Sequence, residues 1–317
     1  MRVLIVGCGY VGLPLGAELV RQGHEVFGLR RSGGEELRTA GITPLAADIT
    51  RAETLARLPG NFDWVVNCAA SGGGTAEDYR QLYLEGNRNL VSWLRAASPK
   101  KFVYTSSTSV YAQNDGSVVT EQCPTEPEAG TARVLVDTER LLLAAAREQH
   151  FPAVVLRVAG IYGPGRGHAL KQFLRGDARI EGDGSRHFNM IHRTDLIGVI
   201  LAALERGESG EVYNAADNEP VMQRTFFEWL AAELNRPPPP RVSADAETWR
   251  KRGVTNKQVS NAKLRGALKY GFKFPNFRAG YAPEIATLAR SGASLRARRL
   301  YQEITLSPSR RARSDAP

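Results

Sequence analysis

At 317 residues, 42% of them apolar, the chain is long enough to bury a large core as two domains or one large α/β domain, which excludes a disordered or very small protein. The formal charge of +9 invites a nucleic-acid reading, but much of the excess is concentrated at the C-terminus: Arg290, Arg296, Arg298, Arg299, Arg310, Arg311 and Arg313 face only Glu303 and Asp315. No helix-turn-helix, zinc or aromatic RNA motif accompanies it, so no specific nucleic-acid partner is expected.

The opening MRVLIVGCGYVGLPLGAEL contains a short apolar run, Val3 to Val6, then a glycine turn and a helical pattern through Leu13, Leu15, Leu19 and Val20. The glycines favour strand-turn-helix over a signal peptide. "HEVFGL", "ITPLAAD", "DWVVNCAA", "KFVYTSS" and "AVVLRVAG" read as further buried strands, with helices between most of them, notably Asp78 to Ala97 and Ala132 to Glu148. Repeated βαβ units imply an α/β fold with a doubly wound, Rossmann-type parallel sheet. After Gly160 the rhythm changes to the Gly/Pro-rich loops "YGPGRGH" and "EGDGSRH". A helix from Thr194 to Glu205, the strand "EVYNAA", a helix from Gln223 to Leu234 and a stiff connector, Pro237 to Pro240, follow. No segment reaches about 18 consecutive apolar residues, so no membrane span is expected. Cys8, Cys68 and Cys123 have no metal-ligand spacing; with no secretory signal, reduced thiols, a cytoplasmic location and no metal site are expected.

"GCGYVG" sets Gly7, Gly9 and Gly12 in G-x-G-x-x-G spacing between strand and helix, with Tyr10 and Val11 inside the loop. Gly7 permits the tight turn, Gly9 lets backbone approach a pyrophosphate, Gly12 allows close helix packing, and the helix N-terminus attracts the anion. The second strand ends in Arg30, Arg31 and Ser32, with no acid at that position; this suits the 2′-phosphate of NADP better than the 2′-hydroxyl of NAD, unless the arginines are merely a solvated strand end. Asp48 and Ile49, past the third strand, suit an adenine amine and ring, although Asp48 equally suits a helix cap.

With "NCAA" at 67–70, "YTSSTSVYA" at 104–112, "LRVAGIYGPGR" at 156–166, "NMIHRTDL" at 189–196 and "VSNAKLRGALKYGF" at 259–272, the chain resembles the extended short-chain dehydrogenases/reductases, the NAD-dependent epimerase/dehydratase group. The likeness runs from Met1 to about Leu288. It implies a Rossmann domain over 1–160 and a smaller substrate domain mainly over 161–290, with elements near 190–215 returning to the core. The basic tail over 291–317 is left outside; from Ser307 it lacks apolar residues and is expected to be mobile. The resemblance also implies hydride-transfer chemistry on nucleotide-linked sugars, Ala69 at the cofactor, and Ser107 at the substrate oxygen.

The departure from the family lies in "GTARVLVDTERLL". Aligning Glu139 with the acid that follows the family's catalytic lysine puts Leu135 in the lysine slot and Thr131 in the tyrosine slot, while Tyr83 stands where the family has asparagine. Neither Thr131 nor Leu135 can replace a phenol whose acidity a cation tunes. The substitute candidates are Tyr162, in the loop expected to approach the cofactor, and Tyr111, which the family uses structurally; His187 and His192 titrate in a useful range. Arg166 is expected to contact substrate anions, as is His192 to border the substrate, with Arg157, Arg186 and Arg193 as further guanidiniums. Asp195 is expected to cap or orient a helix, and Cys8, at a helix N-terminus, is a possible low-pKa thiol. The expected function is NAD(P)-dependent oxidoreductase, epimerase or dehydratase chemistry on a small-molecule substrate, a sugar nucleotide or related polyol or carbonyl compound. The alternative is a non-catalytic NADP-binding regulatory protein. A homodimer through helices 78–97 and 132–148 fits the same resemblance.

Overall fold

The computed structural model describes residues 1–243 and 255–290, so the basic segment expected over 291–317 lies outside the described residues. Seven strands form the central parallel sheet: β1 (Arg2–Val6), β2 (Glu25–Arg30), β3 (Thr43–Ala46), β4 (Trp64–Asn67), β5 (Lys101–Ser107), β6 (Ala153–Val158) and β7 (Val212–Ala215), in the order β7-β6-β5-β4-β1-β2-β3. Alternation along β1 divides the core between the two faces: Leu4 and Val6 join one apolar cluster, Val3 and Ile5 the other. Register pairs Val6 with Leu29 and Asn67, Asn67 with Tyr104, and Ser107 with Val158, aligning the strands' carboxyl ends on one rim. The order reverses between β1 and β4, and a crevice opens at such a reversal.

Helix α1 (Gly12–Arg21) buries Gly12, Leu15, Gly16 and Leu19, the spacing of one helical face. The helix expected over 78–97 is a composite: Ala76–Tyr79, a π-helical turn Arg80–Glu85, α2 (Gly86–Leu94) and a final tight turn. Helix α3 (Gly130–Gln149) ends at His150 in the left-handed conformation. Beyond β6 come α4 (His168–Arg175), α5 (Arg193–Arg206), α6 (Gln223–Glu233), α7 (Ala262–Leu268) and α8 (Phe277–Arg290). Helix α4 is absent from the sequence reading because two glycines bracket its eight residues: Gly167 precedes it and Gly176, at φ +78°, stops it. An aromatic cluster that includes Tyr162, Phe173, Phe226, Phe227, Phe277 and Tyr281 forms the core of this second part.

The two faces of the sheet are joined to their helices mainly by apolar contact, and a charged contact is buried among them. Arg157 of β6 and Glu139 of α3 form a buried ion pair, with Nη2 2.8 Å from Oε2 and side chains 7% and 3% exposed. Ser106 donates to Glu139 Oε1 at 2.5 Å, and Arg157 Nη1 donates to the Tyr111 hydroxyl at 2.8 Å. Tyr111 in turn donates to Asn214 Oδ1 at 2.8 Å. Removing one partner from such a pair strands a charge, so Glu139→Gln is expected to lower unfolding free energy by about 3–5 kcal/mol. Urea denaturation measures it, and a loss within about 0.5 kcal/mol, as for an ordinary surface change, would contradict the pair's structural role.

Candidate active site

The rim of the sheet and the second part of the chain enclose a cleft of about 1570 Å³, bordered by Gly9, Arg30, Ala69, Ser107, Arg186 and Lys257 among others. At its β1 end, Gly7 adopts φ +89°, and a Cβ there would lie 2.5 Å from the Ala69 backbone; a Cβ on Gly12 would lie 2.3 Å from Gly7 O. Gly9 is different, because its Cβ would meet no protein atom within 4 Å. It would project instead into space beside the N-terminus of α1, which carries no side-chain cap. Orphan N–H groups, the positive end of a helix and room for close approach are what a dinucleotide pyrophosphate needs, so Gly7, Gly9, Tyr10, Val11 and Gly12 fit that group. The "NCAA" segment is held from below: Asn67 Oδ1 accepts from Ala69 N at 3.1 Å, Asn67 Nδ2 donates to Asn87 at 3.0 Å, and Asn87 donates to Tyr83 O at 2.7 Å.

Of the residues expected to read the ribose, Arg30 borders the cleft, whereas Arg31 and Ser32 are exposed and do not border it. The strand end is not free of carboxylate, as its local sequence suggested: Glu36, six residues on, lies 3.5 Å from the Arg30 guanidinium. Asp48 Oδ1 accepts from Thr50 N and Oγ1 at 3.0 and 2.8 Å and caps a turn, and Ile49 is buried against Gly86. Neither borders the cleft. Cys8 is no low-pKa thiol, since burial pushes it up to about 12 and its Sγ donates to Ile5 O.

Ser107 ends β5, borders the cleft, and accepts from Ser109 N at 3.2 Å, so it also caps the short turn Thr108–Val110. From α3, Leu135, which the resemblance sets in the family's lysine slot, borders the cleft, and Thr131 is buried outside its lining. Tyr83 and Lys257 also border the cleft, although sequence reasoning assigned no chemistry to either. The Tyr83 hydroxyl accepts from Ser71 N at 3.0 Å, and its place in a π-helical turn is a signal only tertiary structure exposes.

The two tyrosines offered as replacement acids are committed elsewhere. Tyr162 borders the cleft, but its hydroxyl donates to Asn276 O at 3.3 Å and its ring stacks on Tyr281 at 4.5 Å. Burial first, then the nearby Asp217 carboxyl, raises its pKa, the wrong direction for a group that must exchange a proton near neutrality. Tyr111 is fully buried in the Arg157 network, and desolvation raises its pKa too. His192 does not border the cleft. Its Nδ1 accepts from Thr194 N at 3.2 Å as the N-cap of α5, its ring packs on Phe274, and burial lowers its pKa. Asp195 binds the backbone N–H groups of Lys273 and Phe274 and the Tyr270 hydroxyl, fastening a later loop to α5. Arg166 borders the cleft, and with Arg193 it flanks the Tyr10 ring, the guanidiniums 5.0 and 4.5 Å from the ring centre. His187 borders the cleft and bonds Asn256 at 3.1 Å.

Gly9→Val is expected to leave the melting temperature unchanged and to weaken dinucleotide binding at least tenfold. Gly7→Ala, at a positive φ against backbone, is expected to destabilise the fold by about 1–3 kcal/mol or more. Thermal melts and calorimetry separate the two effects, and a Gly9→Val protein of unchanged affinity would place the pyrophosphate elsewhere. Asp217 supplies a pH test. Its Oδ2 has no partner among the described residues, and burial raises its pKa to about 8. A carboxyl raised in the folded state contributes stability below its unfolded value of about 3.9, and that contribution is lost as pH climbs to the folded value. Stability is therefore expected to fall between about pH 4 and pH 8, and Asp217→Asn to flatten that slope in urea titrations.

The NAD dependent epimerase/dehydratase family matches residues 3–216. Protein YeeZ of Escherichia coli K12 is 27% identical over 286 residues, covering 87% of this chain and 97% of that protein. A 2-alkyl-3-oxoalkanoate reductase of Stenotrophomonas maltophilia is 26% identical, covering 84% and 86%. Among solved structures, the dTDP-glucose 4,6-dehydratase DesIV of Streptomyces venezuelae, with NAD bound, superposes with a TM-score of 0.78 at 21% identity, covering 96% of this chain and 100% of that one. The strand order, the glycine cradle and these matches agree, and the chain belongs to the NAD dependent epimerase/dehydratase family.

Proposed function

We propose that the protein is an NADP(H)-dependent enzyme transferring hydride to or from a carbonyl or alcohol carbon of a nucleotide sugar or a related polyol or carbonyl compound. The observation that carries this reading is one continuous cleft bordered both by the Gly9 cradle and by Ser107, with Arg166, Arg179 and Arg186 from the second part of the chain. A bound nicotinamide supplies or accepts the hydride. The chain's own residues do the rest: the glycine loop and α1 hold the pyrophosphate, Arg30 faces the ribose phosphate, Ser107 hydrogen-bonds the reacting oxygen, and the cleft arginines hold a substrate anion. The reductase relative and the NAD-holding dehydratase support a redox step. Among the described residues no helix is long and apolar enough to cross a membrane.

Calorimetry with both cofactors is expected to give tighter binding of NADP than of NAD, and equal or tighter NAD binding would sink the assignment. Arg30→Asp is expected to weaken NADP by about 1.5–3 kcal/mol, the value of a hydrogen bond to a charged group. Screening UDP- and dTDP-sugars and 3-oxo acids by NADPH fluorescence then identifies the substrate. On that substrate Thr131→Ala is expected to lose less than the roughly 10²–10⁴-fold typical of a removed general acid, and Ser107→Ala to lose more than Thr131→Ala. The reverse order would move the site away from Ser107.

A further inference from the structure

Helix α3 presents Leu135 where the family carries its lysine, yet another lysine borders the same cleft. Lys257 is 4% exposed, and its Nζ donates to Tyr111 O at 3.0 Å and to Thr255 Oγ1 at 2.8 Å. Its backbone is tied on both sides. Asn256 N donates to Gln113 O at 3.2 Å and Gln258 N to Ser117 O at 2.8 Å. Asn189 Nδ2 donates to Lys257 O at 2.9 Å while its Oδ1 accepts from Val259 N at 2.7 Å. A side chain rising from so fixed a seam is held ready for one position.

Among the described residues no carboxylate pairs with this ammonium. On its own segment the neighbours are the neutral Thr255 and Asn256. Across from it, Tyr111 offers a carbonyl while its phenol is engaged by Arg157 and Asn214. Behind Tyr111, Glu139 is held by Arg157, and Glu121 accepts from Asn214 N. From the strand His187–Phe188 and the residue before it, His187 is bonded to Asn256 and Arg186 lies against Glu181. Among the described residues the ammonium rests on two neutral oxygens alone; burying a charge in that way costs several kcal/mol and methionine would fill the same volume, so packing does not account for the lysine. Burial lowers its pKa to about 8, which leaves it protonated at neutral pH and able to give that proton up.

We propose that Lys257 is the proton carrier of this cleft, doing from the opposite end of the sequence what a tyrosine on α3 does elsewhere in the family. The proposal rests on the hydride-transfer reading above. In the reducing direction, with NADPH as hydride source and NADP⁺ as its product, the carbonyl carbon takes the hydride and the carbonyl π pair moves onto oxygen. That oxygen takes a proton from the Lys257 ammonium, leaving an alcohol and a neutral amine, which regains its proton from solvent. Oxidation runs the same transfers backwards.

Competitive acetylation of the full chain with acetic anhydride, from pH 6 to 11 and read by peptide mass spectrometry, follows each amine separately. Lys257 is expected to become reactive with a midpoint near pH 8, against about 10.4 for exposed lysines. On the carbonyl compound found by the NADPH screen, Lys257→Met is expected to slow reduction by roughly 10²–10⁴-fold and to remove the fall in rate above pH 8. Lys257→Arg, a cation that does not release its proton near neutrality, is expected to stay equally slow while melting like the parent. A protein that binds NADP(H), but whose Lys257 titrates with the exposed lysines or whose Lys257→Met variant keeps the parental rate and pH profile, overturns this inference alone. A parent that binds no dinucleotide overturns the reading beneath it, and both fall together.

Discussion

The buried pair between Arg157 and Glu139 is the constraint on which the arrangement of the site depends. A guanidinium and a carboxylate removed from water are tolerable only when their hydrogen-bonding capacity is used, and here it is used thoroughly: Arg157 donates to both Glu139 oxygens, to the Tyr111 hydroxyl and to Glu121 O, and Ser106 completes the carboxylate. These contacts join β6, β5, α3 and, through Asn214, β7. They pin the rotation of α3 about its axis. Thr138 and Glu139 then face inward, and Leu135, one turn earlier, reaches the cleft wall.

That pinning has a chemical consequence. Helix α3 turns Leu135, and neither a phenol nor an amine, toward the cleft. The network also consumes Tyr111, whose hydroxyl both accepts from Arg157 and donates to Asn214, and it takes Ser106 out of the reacting set. Ser107, one residue further along the strand, lies outside this network because successive side chains alternate faces, and it borders the cleft. Among the groups that border the cleft are the Ser107 hydroxyl at the end of β5 and, from later in the chain, Arg166, Arg186 and Lys257. The second part of the structure is fastened to the rim by polar ties of its own. Asp195 holds the 270–274 loop, Asn261 holds the backbone after β7, and Asn189 clamps the segment that carries Lys257. Positions that look like surface loop in one dimension thus become fixed walls.

Local pattern was enough for the parallel sheet, because each buried strand is a short apolar run bounded by glycine or polar residues and each long helix buries one face. It was also enough for the glycine loop, whose demands are met within six consecutive residues: a positive φ at Gly7, close packing at Gly12 and an open approach at Gly9. It served less well wherever a side chain's meaning comes from a distant partner. Glu36, six residues on, lies against Arg30 at the end of β2, where the strand end by itself shows no acid. His192 read as a titrating substrate contact because its aromatic neighbours, Tyr162 and Phe274, lie 30 and 82 residues from it in sequence. Tyr162 read as an acid for the same reason, since Asn276 and Tyr281, which claim its hydroxyl and its ring, belong to the last helical segment.

What the sequence determined by itself is the set of properties carried by nearest neighbours: the βαβ alternation, the glycine turn between β1 and α1, and the basic C-terminal run. What only tertiary structure decided is which polar groups are spent on holding the fold and which still face the cleft. Arg157, Tyr111, His192 and Asp195 are spent; Ser107, Arg30 and Lys257 border the cleft. The physical reason is that a hydrogen bond or an ion pair satisfies a buried group regardless of sequence separation. The role of a polar residue is therefore set by what the fold brings within about 3 Å of it, and the chain order does not carry that information.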